Sequence, residues 1–246
     1  TEPDRWDTSS LKLMISSGAM FTTEVKRGLI DHVPELAIAD VLGSTEGGMG
    51  QSIMTKDTPP SETAKFTLLP VAKVLLPDGS REVVPGSGEV GMVAQGGMVP
   101  LGYYKDPEKS AKTFKEIDGT RYAFIGDMAT IDADGTINLL GRGSNCINTG
   151  GEKVFPEEVE EALKLHPEVA DALVFGLEDE RFGNRVAGVV SLEQGGSAEA
   201  GDILEATRKL LASYKLPKDL LVVPVVPRAP NGKADYKTAK SMMADD

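Results

Sequence analysis

The chain has 246 residues, 40% hydrophobic and 26% charged, the composition of an ordinary folded protein and enough for one large or two smaller domains. Its 38 acidic against 26 basic side chains give a formal charge of -12, which argues against nucleic acid or a polybasic membrane anchor. One cysteine (Cys146) excludes an internal disulfide and fits a reducing, cytoplasmic compartment; two histidines (His32, His166) make a His/Cys zinc site improbable; and no apolar run reaches the roughly 18 residues of a membrane span. The opening "TEPDRWDTSS" has neither an initiator Met nor a signal-peptide pattern, so a piece of a longer or processed protein is expected.

In chain order, "LKLMIS" (11–16) reads as a short buried strand and residues 21–33 as a helix. "LAIADVL" is a second buried strand that runs into "GSTEGGMG", read as a strand followed by a flexible polar loop. From 66 to 140 strands alternate with tight turns. "VAKVLLPDGSREVV" predicts a hairpin about Pro77-Asp78-Gly79, and "GEVGMVA" a strand. "DPEKSAKTF" opens a short helix, with Asp106 as its N-cap and Pro107 at its first position. "YAFIGDMATIDADGTINLLG" predicts two strands joined at Asp132-Ala133-Asp134-Gly135.

The rhythm changes after "GRGSNCINTGGEK" (141–153), a glycine-rich stretch around Arg142. "FPEEVEEALKLH" is a helix with Pro156, Glu157 and Glu158 at its positive end and Val159, Ala162 and Leu163 on one face. "ADALVFGL" and "RVAGVVSL" are strands, "ILEATRKLLASY" an amphipathic helix and "LLVVPVV" a last strand. That order is a compact α+β module, so the domain boundary is placed at the glycine-rich stretch.

Taken singly, the candidate motifs have bland readings. A "GSTEGG" loop is usually a turn, although Thr45 can hydrogen-bond a phosphoryl oxygen and Glu46 is a hard oxygen ligand for Mg2+. The "GD" at 126–127 is usually a strand end, although a carboxylate there can accept from both ribose hydroxyls. Arg142 is by default a solvated cation, "PNGKADY" (230–236) a surface turn, and "DERFGNR" (179–185) a loop with one anchoring Phe. Their order is more specific than any member. GSTEGG, GYYKDPEKSAKTF, GD, GRxxxxIxxGGEKxxPxEVE and PxxxxGK, in that sequence from about residue 11 to 240, resemble the adenylate-forming superfamily. Within it the chain looks like the C-terminal portion of acyl-CoA synthetases (fatty-acid-CoA ligases), on the branch that includes ligases for long-chain and sterol side-chain acids.

The resemblance implies a fold that is α/β and α+β. Residues 1–141 would be the C-terminal portion of the large adenylating domain, built of strands, β-hairpins and few helices. Residues 142–246 would be a small mobile α+β domain, with the hinge at Ser144. It implies ATP-dependent joining of a fatty or sterol-type carboxylic acid to AMP, then transfer of the acyl group to coenzyme A. Lys233 would reach the carboxylate and α-phosphate, Thr45 the phosphate and Glu46 the Mg2+. Gly18, Ala19, Asp40, Gly43 and Ser44 would join Thr45 around the nucleotide, with Asp127 and Arg142 at the ribose. Gly150 and Gly151 would line the coenzyme A tunnel, flanked by Arg181 and Phe182; Met20, Gly47 and Gly48 would edge the acyl pocket.

Three positions depart from the family pattern: Leu42 stands where an aromatic residue often stacks on adenine, Ser144 where the hinge is commonly Asp or Lys, and Asn145 where an acid commonly follows. The family's Ser/Thr/Gly-rich phosphate loop is not in this sequence. A second polypeptide supplying that half is therefore expected, and without it either an inactive or a merely nucleotide-binding protein. An adenylation domain that loads a carrier protein is the other reading.

Overall fold

The computed structural model describes residues 6–18, 21–58 and 62–243, so the expectations for Ala19 and Met20 lie outside the described residues. The chain forms two compact units, Thr1–Leu140 and Gly141–Asp246.

In the first unit β1 (Leu13–Ser17) leads through α1 (Thr23–His32) to a parallel partner, β2 (Ala37–Ser44). The helix starts where expected because the Thr22 hydroxyl caps the Val25 N–H. Next come β3 (Gly47–Met54), β4 (Lys65–Leu68), β5 (Ala72–Leu75) and β6 (Gly91–Gly96). Then follow α2 (Pro107–Thr113), β7 (Phe114–Ile117), β8 (Thr120–Ile131) and β9 (Ile137–Arg142). Among the described residues they make a nine-stranded sheet in the order β1-β2-β3-β4-β9-β8-β6-β5, with β7 also on β8. Its core is Met49, Phe66, Val74, Val93, Ala129 and Ile137, all buried.

Two expectations for this unit are corrected. "LKLMIS" is a strand but not a buried one: β1 sits at a sheet edge, and its outward residues Leu13 and Ile15 are 55% and 67% exposed. Ile53, in register with Ile15 through Ala39, is 53% exposed on the same face, whereas Ile38 on the opposite face is buried with Ile30 of α1. One helix covers one face only, and alternation along the strand does the rest. The second correction is that "GSTEGG" is no flexible loop. It is a tight hairpin: Ser44 pairs with Gly47 and Gly43 with Gly48, leaving Thr45 and Glu46 as the two turn residues. The predicted return after Pro77-Asp78-Gly79 is present, through Leu76 N–H to Arg81 O (3.0 Å) and Val83 N–H to Val74 O (2.9 Å), although its second limb stays outside the regular strands.

In the second unit β10 (Ile147–Thr149) and β11 (Glu152–Val154) form a short hairpin, followed by α3 (Pro156–Lys164). The long hairpin of β12 (Val169–Asp179) and β13 (Gly183–Leu192) is the spine, with α4 (Ala200–Thr207), β14 (Asp219–Val222) and α5 (Tyr236–Met242) after it. Strand β14 lies parallel to β13. The unbroken apolar run "ALVF" is explained by packing on both faces. Ala172 and Val174 pack with Val159 and Leu163 of α3 and Ile203 of α4, while Leu173 and Phe175 pack with Val223 and Ala239.

The helix expected over "ILEATRKLLASY" stops early, at Thr207. The buried Thr207 hydroxyl bonds back to Ile203 O (2.8 Å), and Leu210 N–H then turns to Thr207 O (2.9 Å), tightening the last turn. "LLVVPVV" pairs as a strand only through Val222; the last bond to β13 runs from Val223 N–H to Val190 O (2.8 Å), and Pro224 follows with its ring on the open edge.

Candidate functional site

The first unit gathers several of the candidate residues on neighbouring strands. Gly18 follows β1, whose Ser17 pairs with Val41; Asp40, Gly43 and Ser44 lie on β2; Thr45 and Glu46 form the turn beyond. Thr45 is exposed, and the Ser44 hydroxyl accepts from the Glu46 N–H (3.1 Å), fixing the turn. The half-buried Glu46 carboxylate accepts a short hydrogen bond from the Tyr103 hydroxyl, which holds it below the usual carboxylate range, with Ser44 and Lys109 adding to the effect. Tyr103 is itself fixed by its N–H to Ser110 Oγ (2.7 Å), by Phe114 (ring centroids 5.5 Å apart) and by Lys109 Nζ, 4.1 Å from its ring. The Asp106 cap and Pro107 of the GYYKDPEKSAKTF segment thus present a tyrosine to the acid of the turn.

Asp40 is buried and committed to an equally buried partner: Lys26 Nζ of α1 lies 2.7 Å from its Oδ2. Asp127 sits buried on β8 at an irregularity, because two steps along β6 (Met92 to Ala94) span four along β8 (Met128 to Phe124). Such a bulge turns side chains away from simple alternation. Arg142 ends β9, exposed, with its N–H 3.5 Å from Glu157 Oε1. The preceding Gly141 (φ +116°) holds a backbone conformation that L side chains rarely adopt, and the Glu157 carboxylate occupies the space beside it.

The second unit brings the coenzyme A candidates together. Gly150 (φ +59°) and Gly151 (φ +92°) are the central pair of a type I′ turn joining β10 to β11, a geometry that by itself calls for glycine. Gly150 N–H donates to Phe182 O (3.0 Å), and a Cβ on Gly150 would lie 3.2 Å from the Phe182 ring. Asp179 Oδ1 accepts from the N–H groups of Arg181 (3.0 Å) and Phe182 (2.9 Å), shaping this loop. Arg181 (5.0 Å) and Lys218 (4.0 Å) both lie over the Phe182 ring. Lys218 was not a candidate from sequence: nothing short of the β13–β14 pairing brings it to Phe182.

Lys233 is exposed on the turn 230–233, where Asn231 Oδ1 accepts from its N–H (3.2 Å) and its carbonyl accepts from Ala229 N–H (2.8 Å). Ser144 lies in a short 3-10 turn, Gly143–Asn145. Beside it a cavity of about 210 Å³ is lined by Ser144, Cys146, Pro156, Phe175, Asn184, Tyr236 and Lys240, among others. Burial pushes the Tyr236 hydroxyl well above its ordinary range, with Glu160 and Glu157 pushing the same way.

Glu160 is the buried acid of this unit. Its Oε1 accepts from Val174 N–H (2.9 Å), and burial pushes its carboxyl up from 4.5 to about 7, with Glu157 adding to the rise and Lys164 and Arg228 opposing it. Between those two values the folded state holds a proton that the unfolded chain has released. The contribution is therefore full below the unfolded value and lost as pH rises through about 7, a swing of about 3 kcal/mol. Glu160→Gln should flatten this slope, and thermal melts at pH 5 and pH 8 should show the gain at the higher pH only.

Among the described residues no three His, Cys, Asp or Glu side chains converge on one point. Glu46, ionised and on a turn, still suits Mg2+, which keeps its waters and takes one or two carboxylates together with substrate phosphates. No helix among the described residues is long and apolar enough to cross a membrane.

Residues 158–233 match the family described as AMP-binding enzyme C-terminal domain. The medium/long-chain-fatty-acid–CoA/3-oxocholest-4-en-26-oate–CoA ligase of Mycolicibacterium smegmatis is 45% identical over 238 residues, 96% of this chain and 43% of that protein. A 3-oxocholest-4-en-26-oate–CoA ligase of Rhodococcus rhodochrous is also 45% identical, over 96% of this chain and 42% of that protein. Among solved structures, ATP-bound MatB from Rhodopseudomonas palustris superposes with a TM-score of 0.75 at 27% identity, over 95% of this chain and 45% of that one. The chain thus spans less than half the length of these relatives. In sequence it matches the C-terminal portion of proteins named as acyl-CoA ligases, with an AMP-binding enzyme C-terminal domain at 158–233, and its fold is that of the corresponding part of an adenylate-forming enzyme.

Proposed function

We propose that the chain is the C-terminal part of an ATP-dependent ligase that converts a carboxylic acid and ATP to an acyl-adenylate and pyrophosphate, then passes the acyl group to coenzyme A. The observation that carries this reading is the ordered set of segments ending in the exposed Lys233 turn, in a chain whose relatives are named for that activity. Those names also favour a fatty or sterol-type acid as substrate. The first step brings two anions together, so its barrier is largely electrostatic. Lys233 supplies a compact charge on a long stem, suited to bridging carboxylate and α-phosphate. Thr45 would donate to a phosphoryl oxygen, and Glu46, kept ionised by the Tyr103 hydroxyl, would hold Mg2+. Mg2+ would neutralise phosphate charge there. Asp127 and Arg142 take the ribose, with Gly18, Ala19, Asp40, Gly43 and Ser44 around the rest of the nucleotide.

In the second step the unit beginning at Gly141 would turn about Ser144, withdrawing Lys233 and presenting Gly150 and Gly151 to the pantetheine arm, with Arg181 and Phe182 near the coenzyme A head group. A few pliable residues beside the chemistry suit such a rotation. The lone cysteine suits a reducing cytoplasm. The phosphate loop and most of the acyl pocket would come from an N-terminal part, in one chain with this one as in the longer relatives or as a second polypeptide.

Native mass spectrometry followed by an assay tests this. A preparation holding both parts should convert ATP, coenzyme A and a medium-chain, long-chain or sterol-type acid to AMP and acyl-CoA. Adenylation without any coenzyme A product would point to a carrier protein as acceptor. No adenylation by the complete assembly with any acid would overturn the reading.

A further inference from the structure

We propose that Arg228 is a positioning residue for Lys233, clamping the lysine's turn to the central hairpin of the second unit. This rests on the role given to Lys233 above. Arg228 and Ala234 form an isolated antiparallel bridge that closes the base of the turn. The Arg228 guanidinium then spreads over two elements. Its Nε and Nη2 hold the Asp171 carboxylate on β12 at 2.6 and 2.7 Å, a bidentate fork. Nη2 also reaches Ala172 O (3.4 Å), and Nη1 reaches back to Gly232 O (3.5 Å), the residue before Lys233. The side chains of Arg228 and Asp171 are 31% and 30% exposed, and the Asp171 carboxylate holds the arginine's charge firmly.

The energetic logic favours position over bulk stability. Lys233 itself is exposed, and its backbone bonds stay within its own turn. A turn of that kind frays unless something outside it fixes its orientation. The guanidinium does so, with one edge on Asp171 of β12 and the other on the carbonyl of Gly232 inside the turn. A lysine at position 228 keeps the charge but lacks the planar fork needed to serve three acceptors at once. A displacement of about 1 Å at the reacting charge is enough to cost roughly 100-fold in rate.

The test compares Arg228→Ala, Arg228→Lys and Asp171→Asn with the unchanged protein by amide exchange and, in the complete ligase, by separate half-reactions. Exchange should become about tenfold faster at the Ala229 and Gly232 amides, which bond within the turn, with the β12–β13 amides unchanged. Adenylation should fall about 100-fold in Arg228→Ala and nearly as far in Arg228→Lys, while thioester formation from preformed acyl-adenylate stays within about threefold. Full rescue by Arg228→Lys, equal loss in both half-reactions, or unchanged exchange in the turn would each overturn the proposal. The exchange arm needs no catalysis, so a ligase that fails to adenylate even unaltered would count against the assigned activity while the clamp is still decided.

Discussion

Replacing Lys233 with Ala is expected to lower acyl-adenylate formation by about 1000-fold while leaving thioester formation from preformed adenylate within about threefold. The asymmetry follows from where charge crowds. In the first half-reaction a carboxylate must approach a triphosphate, and a positioned cation offsets a repulsion that water would otherwise screen. In the second, the nucleophile is a thiol attacking a mixed anhydride with AMP as leaving group, and the phosphates of the incoming coenzyme A stay a pantetheine arm away from the reacting carbon. Lys233 suits the first of these, because its side chain is exposed and its backbone is held by Asn231 and Ala229. Pyrophosphate exchange measures the first half-reaction, and acyl-CoA release from synthetic adenylate the second. Equal losses in the two would remove Lys233 from the role given to it, and an unchanged exchange rate would remove it from the chemistry altogether.

Local chemistry was largely legible in the sequence, and long-range pairing was not. The Asp106-Pro107 start of α2 and the acidic first turn of α3 are signals written within one turn of helix, and the helices begin there. The buried β12 could be read from its apolar run alone. The reading of "GSTEGG" erred because a polar glycine-rich hexapeptide looks the same as a loop or as the tip of a hairpin; the pairing of Gly43 with Gly48 decides between them. The early end of α4 lies in backbone bonds that tighten to the third residue back, Lys209 N–H to Ala206 O and Leu210 N–H to Thr207 O, which the helix-forming residues of "RKLLASY" do not announce. Tyr103 beneath Glu46 and Arg228 on Asp171 were both missed, and each joins residues 57 apart in sequence. No periodicity encodes such a pair. Only the sheet register that brings two strands or turns together does, and register is set by the whole pattern of burial.

Lys26→Ala is expected to cost the first unit about 3–5 kcal/mol, the usual penalty for leaving one half of a buried ion pair without its partner. Lys26 is 1% exposed and Asp40 5%, and the Phe21 ring lies 5.4 Å from the ammonium, so little water can replace the lost cation. Lys26→Met with Asp40→Leu should recover most of that loss, because it removes both desolvated charges and keeps the volume. Urea unfolding of the single and double variants measures both numbers in one cycle. The double variant also separates two roles for Asp40. An aspartate that serves only Lys26 leaves ATP affinity unchanged once stability is restored. One that also meets the nucleotide, as proposed, lowers ATP affinity in the double variant even though the fold is sound, because the hydrogen-bonding partner is gone while its packing is kept. A stable double variant with undiminished ATP binding would confine Asp40 to the core.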